Sequence, residues 1–298
     1  MILDRHDKAL DAVSTDTSGP ISPVDYDGNA YLQLIVDAAT GHTQGFPLKK
    51  KSEAATAILK GIRRLELAVG KTVKRYHSDN AKEKRTKSLL NELEAKGTKV
   101  SSTSPHSSQQ NALVEQRFQT IFAATRAALS ASGLPKKFWS IACLDAIDKG
   151  NFLPIKRSSG HTASPNACIP GEPHSAKHLL PFGQSGYIVD TTPHKKKLED
   201  RALRARYVRS ISETQYLVLL PDSGKTRLIR NCEFLLEKQN ILNQNKTPTT
   251  ISKVSSSKDL VSQQKLQIQS QMAHETFPNL KGQFKNQIRN TAEKTYQG

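Results

Sequence analysis

The sequence predicts an α/β domain built on a mixed sheet, followed by a small β-rich module and a polar tail. Three observations carry that prediction. Between residues 10 and 150, apolar runs with the length of buried strands alternate with runs of helical period. From residue 182 to 237 only short β-type runs remain. After residue 237, Gln and Asn dominate and apolar anchors thin out, a composition that reads as a largely disordered tail. The predicted units are a core at 10–150, a Pro-rich connecting segment at 151–181, a small β-barrel-like module at 182–237 and a tail at 238–298.

Each element has its own signal. DAVSTDT leads into the Gly19-Pro20 turn and supplies a first strand. AYLQLIVDAA (30–39) is rich in Leu, Ile and Val and reads as a buried strand, with HTQGFPLKK (42–50) as its hairpin partner. In 52–69, Ala55, Ile58, Leu59, Ile62 and Leu65 recur at three and four residues, the spacing of a helix face, with Ser52 as a candidate cap and Gly70 as the stop. TVKRYHSD (72–79) is a short strand, KRTKSLLNELEAK (84–96) a helix ended by Gly97, and 98–102 a further strand. A polar loop, PHSSQQN, precedes a long helix from about Ala112 to Ser132, with Val114, Phe118, Ile121, Phe122, Thr125 and Leu129 as its apolar stripe. Gly133 stops it, and PKKFWSIACLDAIDKG gives one more helix. In the β module, Asp222-Ser223-Gly224 is the turn between two alternating segments.

Charge points to the partner. The 298 residues hold 44 Lys and Arg against 27 Asp and Glu, a formal charge of +17, and such a surplus predicts a polyanionic partner, nucleic acid first. Three cysteines without a CxxC exclude a disulfide scaffold and a complete thiolate zinc site. There is no apolar run of membrane-spanning length, no signal-peptide pattern at the start and no GxxxxGK[ST] phosphate loop.

Three carboxylates stand out: Asp16 beside the first turn, Asp79 at the polar end of YHSD, and Glu115 near the start of the long helix. Two strand-borne aspartates and one helical glutamate can converge in an α/β fold. Together they would supply the hard oxygen ligands that Mg²⁺ or Mn²⁺ prefers. Two such ions about 4 Å apart can activate an attacking hydroxyl and stabilise the leaving oxygen of a phosphodiester. The plain alternatives are a turn aspartate at 79 and, at 115, an acidic residue matched to the helix dipole.

The landmarks around these residues are STDTSGPI, YLQLIVDAATG, YHSDNAKE and SPHSSQQNALVEQ, with 35 residues between Asp79 and Glu115. In landmarks and spacing the stretch resembles the catalytic core of copia-type retrotransposon integrases, within the retrovirus-like integrases. The similarity continues through GLPKKFWSIACLDAIDKGNFLP into the β-rich segment and covers about residues 10–237. The resemblance implies an RNase H-like fold with a mixed five-stranded sheet and flanking helices. It implies Asp16, Asp79 and Glu115 as catalytic metal ligands for Mg²⁺ or Mn²⁺, and 3′-end processing and strand transfer of DNA as the activity. It further implies element-end and target DNA as partners, a homo-oligomer as the active form, origin in a longer polyprotein and a nuclear location. An inactive nucleic-acid-binding remnant and a nuclease without joining activity are the competing readings. Ala112, Gln116 and the Phe118-Gln119 pair depart from the Gly, Arg and Asn-Arg common in the family. No paired histidines followed by CxxC, the family's zinc module, precede Asp16.

Candidate phosphate contacts are Lys49, Lys50 and Lys51, the run Lys195, Lys196 and Lys197, Arg204 and Arg206 in the β module, and His106, Gln110 and Asn111 ahead of Glu115. A solvated face is the ordinary alternative for each lysine run. His77, two residues before Asp79, belongs on the same strand face if the strand is regular. Asp37 reads as a turn or capping carboxylate, and Cys143 and Cys232 as packing residues.

Overall fold

The computed structural model describes residues 8–78, 86–102, 108–156, 162–172, 175–191, 196–230 and 232–234, with the side chains of residues 102, 108–111 and 156 left out of the description. The expected tail and Asp79, Asn80, His106 and Lys195 lie outside the described residues.

The first sheet is mixed and five-stranded, in the order β3-β2-β1-β4-β5. Its strands are β1 (Val13–Thr17), β2 (Tyr31–Asp37), β3 (Thr43–Leu48), β4 (Arg75–Ser78) and β5 (Lys99–Ser102). β1 pairs antiparallel with β2 and β2 with β3, whereas β1–β4 and β4–β5 are parallel. The two parallel connections carry helices α1 (Ala54–Val69) and α2 (Lys87–Ala95), as parallel crossovers require. α3 (Ser108–Ser132) and α4 (Trp139–Phe152) follow the sheet. This mixed five-stranded sheet with flanking helices is the arrangement that the resemblance implied.

Strand alternation divides the core between the two faces. On one, Val13, Ile35 and Tyr76 pack against Ile58, Ile62 and Leu65 of α1 and Leu89 and Leu93 of α2. On the other, Leu32, Leu34 and Val36 of β2 meet Val114, Phe118 and Ile121 of α3 and Trp139, Cys143 and Ile147 of α4. Both faces of β2 are therefore covered, which explains its near-continuous apolar sequence. α1 ends as its sequence predicts, with Gly70 in the left-handed region at φ 70°. Its start differs. Lys51–Glu53 form a 3₁₀ turn, and the helix opens with no side-chain cap from Ser52. α3 begins at Ser108, ahead of the expected Ala112. The polar residues before Ala112 show no apolar period, so pattern reading stops short of them.

The connecting segment contributes a two-stranded ladder of β6 (Ile155–Lys156) and β7 (Thr162–Ala163). The β module is a second, antiparallel five-stranded sheet in the order β11-β10-β9-β8-β12. It comprises β8 (Ser185–Val189), β9 (Ala202–Ser212), β10 (Gln215–Leu220), β11 (Lys225–Ile229) and β12 (Cys232–Phe234). The β10–β11 turn contains Asp222-Ser223-Gly224, with Gly224 at φ 67° and its N–H donating to the Leu220 carbonyl at 2.8 Å. Tyr207, Tyr216 and Phe234 form an edge-to-face aromatic cluster against this sheet. The module also shares a core with the first domain: Phe182, Val208 and Leu219 pack on Leu134, Phe138, Ile141 and Ala142. Among the described residues no helix is long and apolar enough to cross a membrane.

Candidate functional site

Register decides which face of the sheet each polar residue of β1 occupies. Val13 lies in the α1/α2 core, and the Thr15 hydroxyl is hydrogen-bonded to the Tyr76 hydroxyl on that same face at 3.0 Å. Ser14 and Asp16, on alternate positions, therefore share the face covered by α3. The residue directly opposite Asp16 on β2 is Leu34, which shares a core cluster with Val114 of α3. Glu115 follows Val114 and is exposed at the edge of that cluster, in the second turn of the helix. β1 and α3 thus bring Asp16 and Glu115 to one side of the sheet. Asp16 is half-buried and accepts a hydrogen bond from the Thr17 N–H at 2.8 Å. Asp79 lies outside the described residues. Its predecessor Ser78 stands opposite Thr15, the predecessor of Asp16, across the parallel β1–β4 pair.

His77 occupies the same face as Asp16, in a row with Ser14 and Ser101. It is buried, its Nδ1 is 2.7 Å from the Ser101 hydroxyl, and desolvation lowers its pKa. It belongs to the floor beside the site as a neutral ring. Asp37 behaves as a turn carboxylate. Fully buried, it accepts from the Leu10 N–H at 3.0 Å and from the Thr40 N–H and hydroxyl at 3.0 and 2.6 Å. Burial raises its pKa, and these hydrogen bonds oppose the rise.

The donor set suits a hard divalent cation in type: Asp16 and Glu115 offer carboxylate oxygens, and none of the three cysteines lies on these elements. Among the described residues no group of three His, Cys, Asp or Glu side chains is gathered closely enough to hold a metal ion. The third carboxylate of the expected set is Asp79.

The candidate phosphate contacts separate by environment. Lys49 and Lys50 are exposed at the end of β3, where their backbone N–H groups donate to the Glu53 carboxylate at 2.9 and 3.5 Å. The Lys51 ammonium sits 5.8 Å from the centre of the Tyr31 ring. Gln110 and Asn111 lie in the first turn of α3, with their side chains outside the description, as is His106 altogether. Lys196 and Lys197 are exposed, whereas Lys195 lies outside the described residues. Arg204 forms an exposed ion pair with Asp222 at 3.2 Å. Arg206 turns inward: its guanidinium donates to the carbonyls of Gly183 at 2.9 Å and Ser132 at 2.5 Å, tying β9 to the end of α3.

Sequence reading missed the polar contacts that join the two sheets. The Tyr207 hydroxyl donates to Asp145 Oδ1 at 3.0 Å, and Lys149 holds Asp145 Oδ2 at 2.5 Å. Two residues along β9, Arg209 grips both oxygens of Asp148 at 2.7 and 3.2 Å. Helical i,i+3 spacing in DAID thus meets strand i,i+2 spacing in YVR. Desolvation pushes the pKa of Asp145 up to about 6, against the pull of Lys149 and Tyr207. Periodicity carries no signal for such a pairing, because each half is informative only beside the other.

No family model matches the chain. Its sequence is 24% identical over 235 residues to the retrovirus-related Pol polyprotein from transposon TNT 1-94 of Nicotiana tabacum, covering 78% of the chain and 17% of the relative. It is 26% identical over 229 residues to the corresponding polyprotein from transposon RE2 of Arabidopsis thaliana, covering 76% of the chain and 15% of the relative. The chain therefore spans less than a fifth of the length of the curated relatives it matches. Among solved structures, a chain of the simian T-cell lymphotropic virus intasome aligns with a TM-score of 0.45 at 14% identity, over 79% of this chain and 82% of that one. The magnesium-bound catalytic core domain of HTLV-2 integrase aligns with a TM-score of 0.40 at 21% identity, over 52% of this chain and 94% of that one.

Proposed function

We propose that this chain, a relative of retrotransposon Pol polyproteins, is an integrase-type polynucleotidyl transferase that processes DNA 3′ ends and joins them to target DNA. The observation that carries the reading is the placement of Asp16 and Glu115 on one side of the mixed sheet, with β4 ending beside β1 one residue before Asp79. A trio of carboxylates at that point suits phosphodiester chemistry. Asp16, Asp79 and Glu115 would hold Mg²⁺ or Mn²⁺, which supplies Lewis-acid stabilisation of the charge that develops on the phosphoryl oxygens.

The chain's own residues position the reactants. Asp16 is fixed by the β1–β2 ladder, and Glu115 by the burial of its neighbour Val114 in the core beneath α3. The site is thereby organised on rigid elements before DNA arrives. The exposed lysines at 49, 50, 196 and 197 would take DNA phosphates without reading bases. Element-end and target DNA are the proposed partners, a homo-oligomer the proposed active form, and the nucleus the proposed place of action. Origin in a longer polyprotein accords with the small share of its relatives that the chain spans.

The test is strand transfer on labelled element-end DNA in Mg²⁺ or Mn²⁺, alongside DNA affinity. Glu115→Gln keeps the size of the side chain and removes the anionic ligand. It should abolish cleavage and joining and leave affinity unchanged. Normal joining by Glu115→Gln would overturn the assignment. DNA binding without any cutting by the unaltered chain would favour the inactive-remnant reading.

A further inference from the structure

A cleft of about 430 Å³ runs between α3 and α4. Its α3 wall extends from Arg117 to Ala131, roughly 20 Å at the helical rise of 1.5 Å per residue. The cleft is elongated along the helix, a shape that suits an extended chain lying parallel to α3. The wall is small and apolar, with Ala124, Ala127 and Ala131 exposed along it. Leu153 is 64% exposed and lines the cleft, and Phe182 lines it near Ala128.

The polar groups of the lining are engaged internally, with one exception. The Thr43 hydroxyl donates to the Gly41 carbonyl, and Asn151 bonds both ways with the Thr43 backbone. The Thr120 hydroxyl donates to the Gln116 carbonyl. Asp145 and Lys149 hold each other, and Asp145 also takes the Tyr207 hydroxyl. Arg117 alone has no hydrogen bond or ion pair among the described residues. Its guanidinium lies against Gly41 and Ile155, with no carboxylate among the described residues facing it. A half-buried guanidinium without an acceptor is a costly arrangement that an anion would relieve.

We propose that this cleft binds an unbranched amphipathic carboxylate, a medium- or long-chain fatty acid, with the carboxylate on Arg117 and the chain along the alanine face of α3. Length, apolar walls and an unengaged guanidinium at one end point to this class. A phosphate-rich polymer would need more free cations than the cleft offers, since Lys149 is held by Asp145, and the Asp145 carboxylate in its wall disfavours a second negative charge along its length.

The experiment displaces a fluorescent long-chain fatty acid from the full chain with dodecanoate below its micellar concentration. Dodecanol and dodecyltrimethylammonium serve as uncharged and cationic controls of equal length. Dodecanoate should compete at least tenfold better than either control. Arg117→Met keeps the aliphatic stem and should weaken dodecanoate at least tenfold while leaving dodecanol unchanged. Ala127→Leu fills the cleft from an exposed position that the fold tolerates, and should weaken both. Circular dichroism confirms that the variants are folded. Equal competition by the three dodecyl compounds, or unchanged dodecanoate binding in Arg117→Met, would overturn the proposal, as would displacement by duplex DNA that Ala127→Leu abolishes.

Discussion

Tyr207→Phe removes the hydroxyl by which the β module grips Asp145 of α4. The substitution deletes one hydroxyl and preserves the ring that packs against Tyr216 and Phe234. Tyr207 is 0% exposed and Asp145 2%, so water cannot replace the lost donor without opening the interface. A hydrogen bond to a charged group contributes about 1.5–3 kcal/mol, so the variant should be destabilised by about 2 kcal/mol at pH 7.5. At the entropy of unfolding of a domain this size, that corresponds to a melting temperature lowered by about 4–8 °C. The cost should also depend on pH. The native pKa of Asp145 is raised to about 6, from a value near 4 when unfolded. The native state therefore binds the proton more tightly. The contribution of Asp145 to stability is full below pH 4 and falls as pH rises towards 6. Above pH 6 the buried carboxylate is charged and leans hardest on the Tyr207 hydroxyl. Urea denaturation of both proteins at pH 4.5 and 7.5 should show the larger difference at the higher pH. A difference below about 0.5 kcal/mol at pH 7.5, or one equal at both pH values, would refute the reasoning, since a buried anion losing a donor must cost more than that.

Gly61→Ala should destabilise the core by about 1–3 kcal/mol in chemical denaturation, because a Cβ there would stand 2.2 Å from Ile35 Cδ1 and 2.9 Å from Gln44 Oε1. His42 is buried with its pKa pulled down to about 4 by desolvation, with Arg64 adding to the effect, so the chain should lose stability as pH falls from about 6.5 to 4. His42→Gln should flatten that acid limb in denaturation curves taken across the range. Changing Lys195, Lys196 and Lys197 together to Ala should weaken DNA binding and make its dependence on log salt shallower, because fewer phosphate counterions are released. An unchanged slope would return these lysines to a solvated role.

The core was legible because each of its elements carries a local signal. The apolar run of β2, the three-and-four spacing of α1 and the glycines at 70, 97 and 133 all declare themselves within a few residues. Element edges were less so: the polar first turn of α3 and the 3₁₀ turn at Lys51–Glu53 lack an apolar period. Asp16 and Glu115 were picked out by spacing and resemblance, and in the fold the register of β1 and the seating of α3 bring both to one side of the sheet. The charge-based reading of Arg206 shows the limit of composition. Charge alone does not reveal that a guanidinium reaches two backbone carbonyls, one of them 74 residues away in sequence. Arg117 was visible only as the neighbour of Gln116. Its significance lies in what the surrounding groups already bond to, a property of the folded surroundings.

The core shared by Leu134, Phe138, Ile141 and Ala142 with Phe182, Val208 and Leu219 has a bearing on how such chains can be exchanged by recombination. A crossover in the connecting segment would join α4 of one lineage to β9 of another. The graft would then have to satisfy at once an apolar seam, the Asp145–Tyr207 contact and the Asp148–Arg209 pair. Hybrids cut there should be insoluble more often than hybrids cut ahead of residue 10, and the two sheets should pass between related chains as one heritable block.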